Sequence, residues 1–362
     1  MSHRADIARA AVKEGHEVHV ATTLTREASW LEELGVTVHP MNIDRSGASP
    51  LGLLKLFFSY RRVIRNVDPD VVHFVTIKPV LVGGAAARFC KVRGVLYAVS
   101  GLGHVFTDST MLTRLLRTLV KKWYRFVLSA PRMKIIFQND DDRKAVESIC
   151  PLSKEQIVMI PGSGVDLRRY SWIAPNESNF TVLMASRLLR AKGVIEYIEA
   201  ARIISRKYHN IRFLLVGAPD FDNPTSISAR ELDDWRSEGV VDVLGHRNDI
   251  ADLMSDSHIV VLPSYYGEGL PKVLIEAAAC GRAVVTTDMP GCRDAIEDGV
   301  TGILVPPRDA ISLANAILAL YENREKCVEM GAEGRIRAER IFDVKAVVKA
   351  HIDIYNDLCV SV

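Results

Sequence analysis

The stretch SYYGEGLPKVLIEAAACGRAVVTTDMPG, residues 264–291, follows an apolar run from Ile259 to Leu262 and contains a second from Ala283 to Thr287. Two short β-branched runs joined by a loop and a helical segment read as one strand–helix–strand unit of a parallel sheet. The spacing predicts a loop from Tyr265 to Leu270 and a helix that starts at Pro271, a residue suited to the first helical position, and ends near Ala279. Glu268 then stands in the loop beside the backbone N–H groups of Gly269 and Leu270, and Glu276 lies more than one turn inside the helix. Amides at a helix N-terminus bind phosphate, and a carboxylate on either side accepts hydrogen bonds from sugar hydroxyls. The pattern reads as a clamp for hexose, diphosphate and ribose in order.

Two glutamates alone would signify a solvated surface helix, since Glu is mostly exposed. Two carboxylates also repel a diphosphate, so the clamp requires cations. The segment ASRLLRAKGV, residues 185–194, supplies Arg187 and Lys192 just after a predicted strand from Thr181 to Ala185. A fixed guanidinium or ammonium makes strong charge-assisted bonds and lowers the barrier where negative charge develops.

The same alternation of strand and helix runs through the chain. Strands are expected from Glu17 to Ala21, Thr37 to Pro40, Asp70 to Val75, Val95 to Val99 and Lys134 to Gln138 in the first half. In the second half they are expected from Thr181 to Ala185, Arg212 to Val216, Val240 to Leu244, His258 to Leu262, Ala283 to Thr287 and Gly302 to Val305. This is the signature of α/β architecture with two parallel, helix-covered, Rossmann-like domains. At 362 residues the chain exceeds the size at which one core stops growing. The stretch PGSGVDLRRYSWIAPNESN lacks a periodic apolar face, which puts a hinge near residues 161–179. The expected division is 1–168, 179–338, and a C-terminal helix over 339–362 that packs back toward the first domain, with a cleft between the two domains.

Net charge is only +2, but residues 1–165 hold 23 Lys+Arg against 15 Asp+Glu, and the remainder 23 against 29. An anionic partner for the first half follows; no nucleic acid is expected. Six cysteines without CxxC spacing read as reduced, buried thiols, and no signal peptide or run of eighteen apolar residues occurs, so the expected location is cytoplasmic.

The strings SRLLRAKGV, LLVGAPD, LGHRNDI and GEGLPKVLIEAAACGRAVV, in that order and spacing, resemble the retaining glycosyltransferases of the GT-B fold, more narrowly glycosyltransferase family 4. VVHFVTIKPVLVGG and VSGLGHVF further resemble bacterial members that extend lipid-linked oligosaccharides with N-acetylhexosamine-type sugars. The resemblance implies that Arg187 and Lys192 hold the diphosphate, that Glu276 holds the ribose, and that Glu268 with Gly269, Leu270 and Pro271 holds the sugar and distal phosphate. It further implies that Arg247 lies where the family places its base contacts. It implies a UDP-sugar donor, a polyprenyl-diphosphate-linked saccharide acceptor, no cofactor, and transfer in the assembly of a bacterial surface polysaccharide. Gly217 ends a strand where a side chain would block the donor. An ordinary turn glycine and a solvated loop arginine are the plain readings of Gly217 and Arg247.

Thr76, Lys78 and His104 follow the C-terminal ends of first-half strands, where open parallel sheets bind ligands, and are the acceptor-side candidates. Family members usually carry a donor just after the strand matching Val95 to Val99; here Ser100 and Gly101 stand there. Asp140 to Asp142 imitate an acidic metal motif, but Asn139 or Asp140 ahead of RKAVESI fits a helix N-terminus, and no metal is expected because Arg187 and Lys192 supply the charge. Two basic amphipathic stretches, residues 53–65 and 114–128, suit either sheet-packed helices or a peripheral contact with the anionic inner face of the cytoplasmic membrane.

The chain starts inside what reads as the first helix, so the strand that normally opens such a domain is expected to be missing. A start assigned too late and a truncated, non-catalytic nucleotide-sugar-binding relative are the competing explanations. A two-carboxylate glycosidase using Glu268 and Glu276 is the rival enzyme class, and Arg187 and Lys192 argue against it.

Overall fold

The computed structural model describes residues 4–23, 29–41, 49–99, 121–174, 179–221 and 223–359. They form two compact units, residues 1–163 with 344–362, and residues 164–343. Residues 164–168, read above with the first domain, group with the second unit, as do residues 339–343.

In the second unit six strands form one parallel sheet: β7 (Phe180–Ala185), β8 (Ile211–Val216), β9 (Asp242–Gly245), β10 (Ile259–Leu262), β11 (Ala283–Thr287) and β12 (Gly302–Val305). Their order is β12-β11-β10-β7-β8-β9. The chain builds outward from β7 through β8 and β9, then returns to the other side of β7 for β10 to β12. That reversal opens a crevice beyond the C-terminal ends of β7 and β10, the place where such sheets bind ligands. Helices on both faces bury β7, β10 and β11 completely, which is why these strands are near-continuous apolar runs. The buried Tyr197 hydroxyl ties two neighbours together, lying 2.9 Å from the Val182 carbonyl oxygen and 3.0 Å from that of Leu214.

The first unit holds six described strands: β1 (His19–Thr22), β2 (Thr37–Pro40), β3 (Val71–Val75), β4 (Gly94–Val99), β5 (Met133–Phe137) and β6 (Ile157–Met159). Among the described residues β1 pairs with β2, and β3 to β6 form a separate sheet in sequence order, all parallel. β6 escaped the sequence reading because three residues are too few to show a period. The helix Ile77–Cys90 carries VGGAAA because it lies against the sheet with no room to spare: a Cβ on Gly83 would stand 2.3 Å from the Phe74 ring, and one on Gly84 2.6 Å from Val127. The last helix, Val344–Cys359, packs on Ala5–Lys13 and on β3 and β4.

Between that helix and the sheet lies a buried polar cluster. His351 Nδ1 stands 2.7 Å from the Val347 carbonyl oxygen, which only accepts, so this nitrogen carries the proton and Nε2 accepts from Arg4 Nη1 at 3.3 Å. His73 Nδ1 lies 2.8 Å from the Tyr355 hydroxyl, while its Nε2 is buried with no hydrogen-bond partner. Burial, with Arg4 adding to it, holds His73 well below the usual histidine range; burial lowers His351 to about 4.

Asn139 caps the helix Asp140–Glu147, its side chain accepting from the Asp142 N–H at 2.8 Å, and Asp140 is paired to Arg143 and Lys144. The six cysteines are unpaired thiols, four of them buried; Cys90 is only half-buried and Cys359 is exposed, against the expectation of uniform burial. The basic stretch 53–65 lies in the helix Pro50–Val67, which buries Leu56, Tyr60 and Ile64 and exposes Leu51, Leu54 and Phe58. A run of ring contacts, Phe58–Phe57–Phe89–Phe126–Trp123, extends from it, flanked by exposed Lys55, Arg62, Lys121 and Lys122. Residues 114–120 of the other basic stretch lie outside the described residues. Among the described residues no helix is long and apolar enough to cross a membrane.

Candidate active site

The site grows from four strand ends of the second unit. At the end of β8, a Cβ on Gly217 would stand 1.8 Å from the Ser186 carbonyl oxygen, so only glycine lets the loops after β7 and β8 meet. The obstruction that a side chain would meet there is the protein's own backbone rather than a ligand. The Leu188 N–H donates to the Ala218 carbonyl at 3.0 Å and locks this approach. It sets Arg187 at the rim of a cavity of about 440 Å3, lined by Ser186 and Arg187 after β7, Gly217 to Asp220 after β8, His246 and Arg247 after β9, and Val273 and Glu276 on the helix after β10. Four residues singled out in the sequence, Arg187, Gly217, Arg247 and Glu276, thus share one cavity.

Each charge in it is answered. Arg187 Nη1 donates to Asp220 at 2.8 Å, and Arg247 Nε donates to Asp249 at 2.8 Å. Glu276, on the helix Lys272–Ala279, is 9% exposed, and burial raises its carboxyl above the usual range against the pull of Lys272. Lys272 Nζ lies 3.7 Å away. Pro271 stands at the cap of this helix rather than in its first turn, and Leu270 before it is buried.

Lys192 and Glu268 form a second group beside the cavity. Gly193 has φ +77°, and a Cβ there would stand 2.1 Å from the Pro263 carbonyl oxygen, so the short turn Arg190–Lys192 lies directly on the end of β10. The Tyr265 N–H donates to the Ala191 carbonyl at 3.1 Å. Lys192 is therefore delivered to the Glu268 loop and forms an ion pair with that carboxylate, both side chains being mostly buried. Ser264 Oγ lies 2.9 Å from Glu268 Oε1, and the Thr287 hydroxyl donates to the Ser264 carbonyl. Burial raises the Tyr266 hydroxyl above its usual range, Glu268 adding to the rise and Arg187 opposing it.

Of the acceptor-side candidates, Thr76 and Lys78 belong to the first unit. Thr76, at the end of β3, has φ +70° and ψ 163°, a region otherwise left to glycine, and its N–H donates to the Ala98 carbonyl at 3.1 Å. Lys78 sits in the first turn of Ile77–Cys90. His104, with Ser100 and Gly101, lies outside the described residues. Sequence reasoning missed Asp220, His246 and Ser264; all three stand within quoted motifs, but only the fold brings Asp220 to Arg187, Ser264 to Glu268 and His246 to the cavity wall. Among the described residues no cluster of His, Cys, Asp and Glu is arranged to hold a metal ion.

Residues 172–337 match the family described as Glycosyl transferases group 1, and residues 1–139 the one described as Glycosyl transferase 4-like. The chain is a glycosyltransferase of the GT-B class, with a family-4-like first half and a group 1 second half. It is 28% identical over 353 residues, 94% of this chain and 91% of the relative, to the N,N'-diacetylbacillosaminyl-diphospho-undecaprenol alpha-1,3-N-acetylgalactosaminyltransferase of Campylobacter jejuni. It is 23% identical over 321 residues, 85% of this chain and 80% of the relative, to the UDP-Gal:alpha-D-GlcNAc-diphosphoundecaprenol alpha-1,3-galactosyltransferase of Escherichia coli. Its fold is that of Anabaena Alr3699/HepE, solved in complex with UDP, at TM-score 0.76 and 22% identity over 98% of this chain and 95% of that one. The family match overturns the glycosidase reading of Glu268 and Glu276.

Proposed function

We propose that the protein transfers a hexose or N-acetylhexosamine from a UDP-sugar to a polyprenyl-diphosphate-linked saccharide in the assembly of a bacterial surface polysaccharide, with retention of configuration. The observation that carries this reading is the cavity at the sheet reversal, which joins a buried carboxylate, Glu276, to two guanidinium groups, Arg187 and Arg247. Glu276 accepts from the ribose hydroxyls, Arg247 flanks the base, and Arg187 exchanges Asp220 for the diphosphate. Lys192 and Glu268 divide the work next to it: the ammonium meets the departing phosphate oxygen and the carboxylate accepts from a sugar hydroxyl. The bond from the anomeric carbon to the diphosphate breaks on the face where the acceptor oxygen bonds, and the acceptor proton passes to the leaving diphosphate. No protein nucleophile and no metal or other cofactor is needed, because fixed cations stabilise the developing charge. Two relatives named for undecaprenyl-diphosphate-linked acceptors support the acceptor class.

Such an acceptor is presented at a bilayer. The exposed Leu51, Leu54, Phe58, Phe89 and Trp123 beside exposed lysines and arginines suit the anionic inner face of the cytoplasmic membrane. Flotation with anionic liposomes tests this, and failure to float overturns it. The donor reading is tested by asking which UDP-sugar slowly releases UDP in the presence of the protein, followed by transfer to a lipid-linked acceptor. An α-linked product from an α-linked donor is expected, and a β-linked product contradicts retention. UDP binding with no turnover of any donor would instead mark a nucleotide-sugar-binding relative without catalysis.

A further inference from the structure

Neighbouring segments converge on Ser264, the second residue past β10. Its carbonyl accepts from the Thr287 hydroxyl at the end of β11, and the next N–H, that of Tyr265, donates to the Ala191 carbonyl in the turn Arg190–Lys192 at 3.1 Å. With these backbone groups held and no exposure to solvent, Ser264 is fixed independently of the Glu268 side chain. Its Oγ lies 2.9 Å from Glu268 Oε1, 3.1 Å from the Ala191 carbonyl oxygen and 3.5 Å from that of Tyr266. A hydroxyl has one proton to give, and a carboxylate only accepts. The carboxylate is the nearest of these acceptors and the charged one, and the Ala191 carbonyl already receives the Tyr265 N–H, so the proton goes to Glu268. The other carboxylate oxygen, Oε2, is the one that pairs with Lys192. One oxygen of Glu268 is thus tied to the end of β10 and the other to a cation.

We propose that Ser264 is a positioning residue, its hydroxyl holding the Glu268 carboxylate in place while Lys192 turns from that carboxylate to the diphosphate. This rests on the reading of Lys192 as the phosphate contact and Glu268 as the sugar contact. Once a donor is bound, Lys192 is shared between two anions, and its hold on Glu268 weakens. Ser264 is fully buried and cannot be drawn to the ligand, so its bond to Oε1 survives donor binding. The rotation of the carboxylate stays set, and the lone pairs of Oε2 that Lys192 gives up pass to a sugar hydroxyl.

The test is Ser264→Ala in the full chain, which removes the hydroxyl oxygen alone and leaves the backbone bonds of Ser264 and Tyr265 intact. Calorimetric UDP binding is compared with steady-state UDP release from the UDP-sugar that is released fastest, both below the melting onset of every variant. UDP carries no sugar, so the loss should reach only the second quantity. Removing one hydrogen bond to a charged group predicts kcat/KM for UDP release lower by roughly tenfold, with the Kd for UDP within about twofold. Glu268→Ala should lower kcat/KM at least as much, and Ser264→Ala on that background should add nothing. If Glu268→Ala lowers kcat/KM while Ser264→Ala changes only the melting temperature, or weakens UDP binding as much as turnover, the positioning role is overturned and the reading of Glu268 stands. A further loss from Ser264→Ala on the Glu268→Ala background overturns it as well, since the hydroxyl would then act through another group. If Glu268→Ala leaves kcat/KM unchanged, the reading of Glu268 itself falls, and the role of Ser264 with it.

Discussion

In the C-terminal unit β7, β10 and β11 are buried from end to end, whereas no residue of β1 or β2 in the N-terminal unit is fully buried. Parallel strands covered on both faces cannot shift, so the loops leaving them are held at fixed separations. That is why the C-terminal unit presents a constellation in which each carboxylate already faces a cation or donor. The N-terminal unit spends its buried polar groups differently. His73, His351, Tyr355 and Arg4 lie under the last helix, away from the strand ends, and serve its attachment.

The largest effect that separates the units concerns Lys192. Removing a preorganised charge from the place where negative charge develops costs on the order of 100- to 1000-fold in turnover. Lys192→Ala should show such a loss in UDP release while Lys78→Ala, in the N-terminal unit, leaves acceptor-independent release unchanged. Equal losses would mean that donor chemistry is not confined to the C-terminal unit.

Next comes a pair of glycines with positive φ. Gly217→Ala drives a methyl into the Ser186 carbonyl, while Gly239→Ala, with φ +69°, meets nothing within 4 Å. The first should cost roughly 3 kcal/mol and displace Arg187, the second about 1 kcal/mol of backbone strain alone. Thermal denaturation of both variants measures the difference, and equal costs would contradict the close approach of β7 and β8.

The units should also respond oppositely to acid. A histidine whose folded pKa lies below its unfolded value contributes stability above pH 6.5 and loses it as the pH falls. For His73 and His351 the loss runs from 6.5 downward, ending for His351 at about 4, at up to about 1.4 kcal/mol per pH unit each. Glu276 has the opposite sign: its raised carboxyl takes a proton more readily when folded, so acidification above the usual carboxylate range favours the folded unit while neutralising the carboxylate proposed to hold the ribose. Hydrogen exchange between pH 7 and pH 5 should therefore show the helix Val344–Cys359 opening before Lys272–Ala279. The reverse order would refute the burial argument.

The smallest effect is a gain. Thr76→Gly relieves a backbone conformation that threonine rarely adopts and should raise stability by about 1 kcal/mol, read as a higher melting temperature. A loss instead would show that the Thr76 side chain contributes more than its strain costs.

Much of this was legible in the chain. Eleven strands announce themselves as apolar runs, and β-sheet position follows their burial; β6 is too short to announce itself. The residue types at the site were also legible, because Arg187 and Glu268 stand in loops that follow strands and Glu276 on the helix after the Glu268 loop. Their partners were not. Arg187 meets Asp220 and Lys192 meets Glu268 across 33 and 76 positions, and only the sheet order decides such meetings. The reason for Gly217 was equally hidden, since the Ser186 carbonyl that excludes a side chain belongs to a different strand end.

The central claim, that a nucleoside diphosphate is held by strand ends of the C-terminal unit alone, is tested most directly by hydrogen exchange with and without saturating UDP. The account predicts protection at residues 186–188, 217–220, 246–250 and 268–276, with the strand ends after β3 and β5 unchanged. Protection centred on Thr76 and Lys78, or none at any of the four segments, would contradict it.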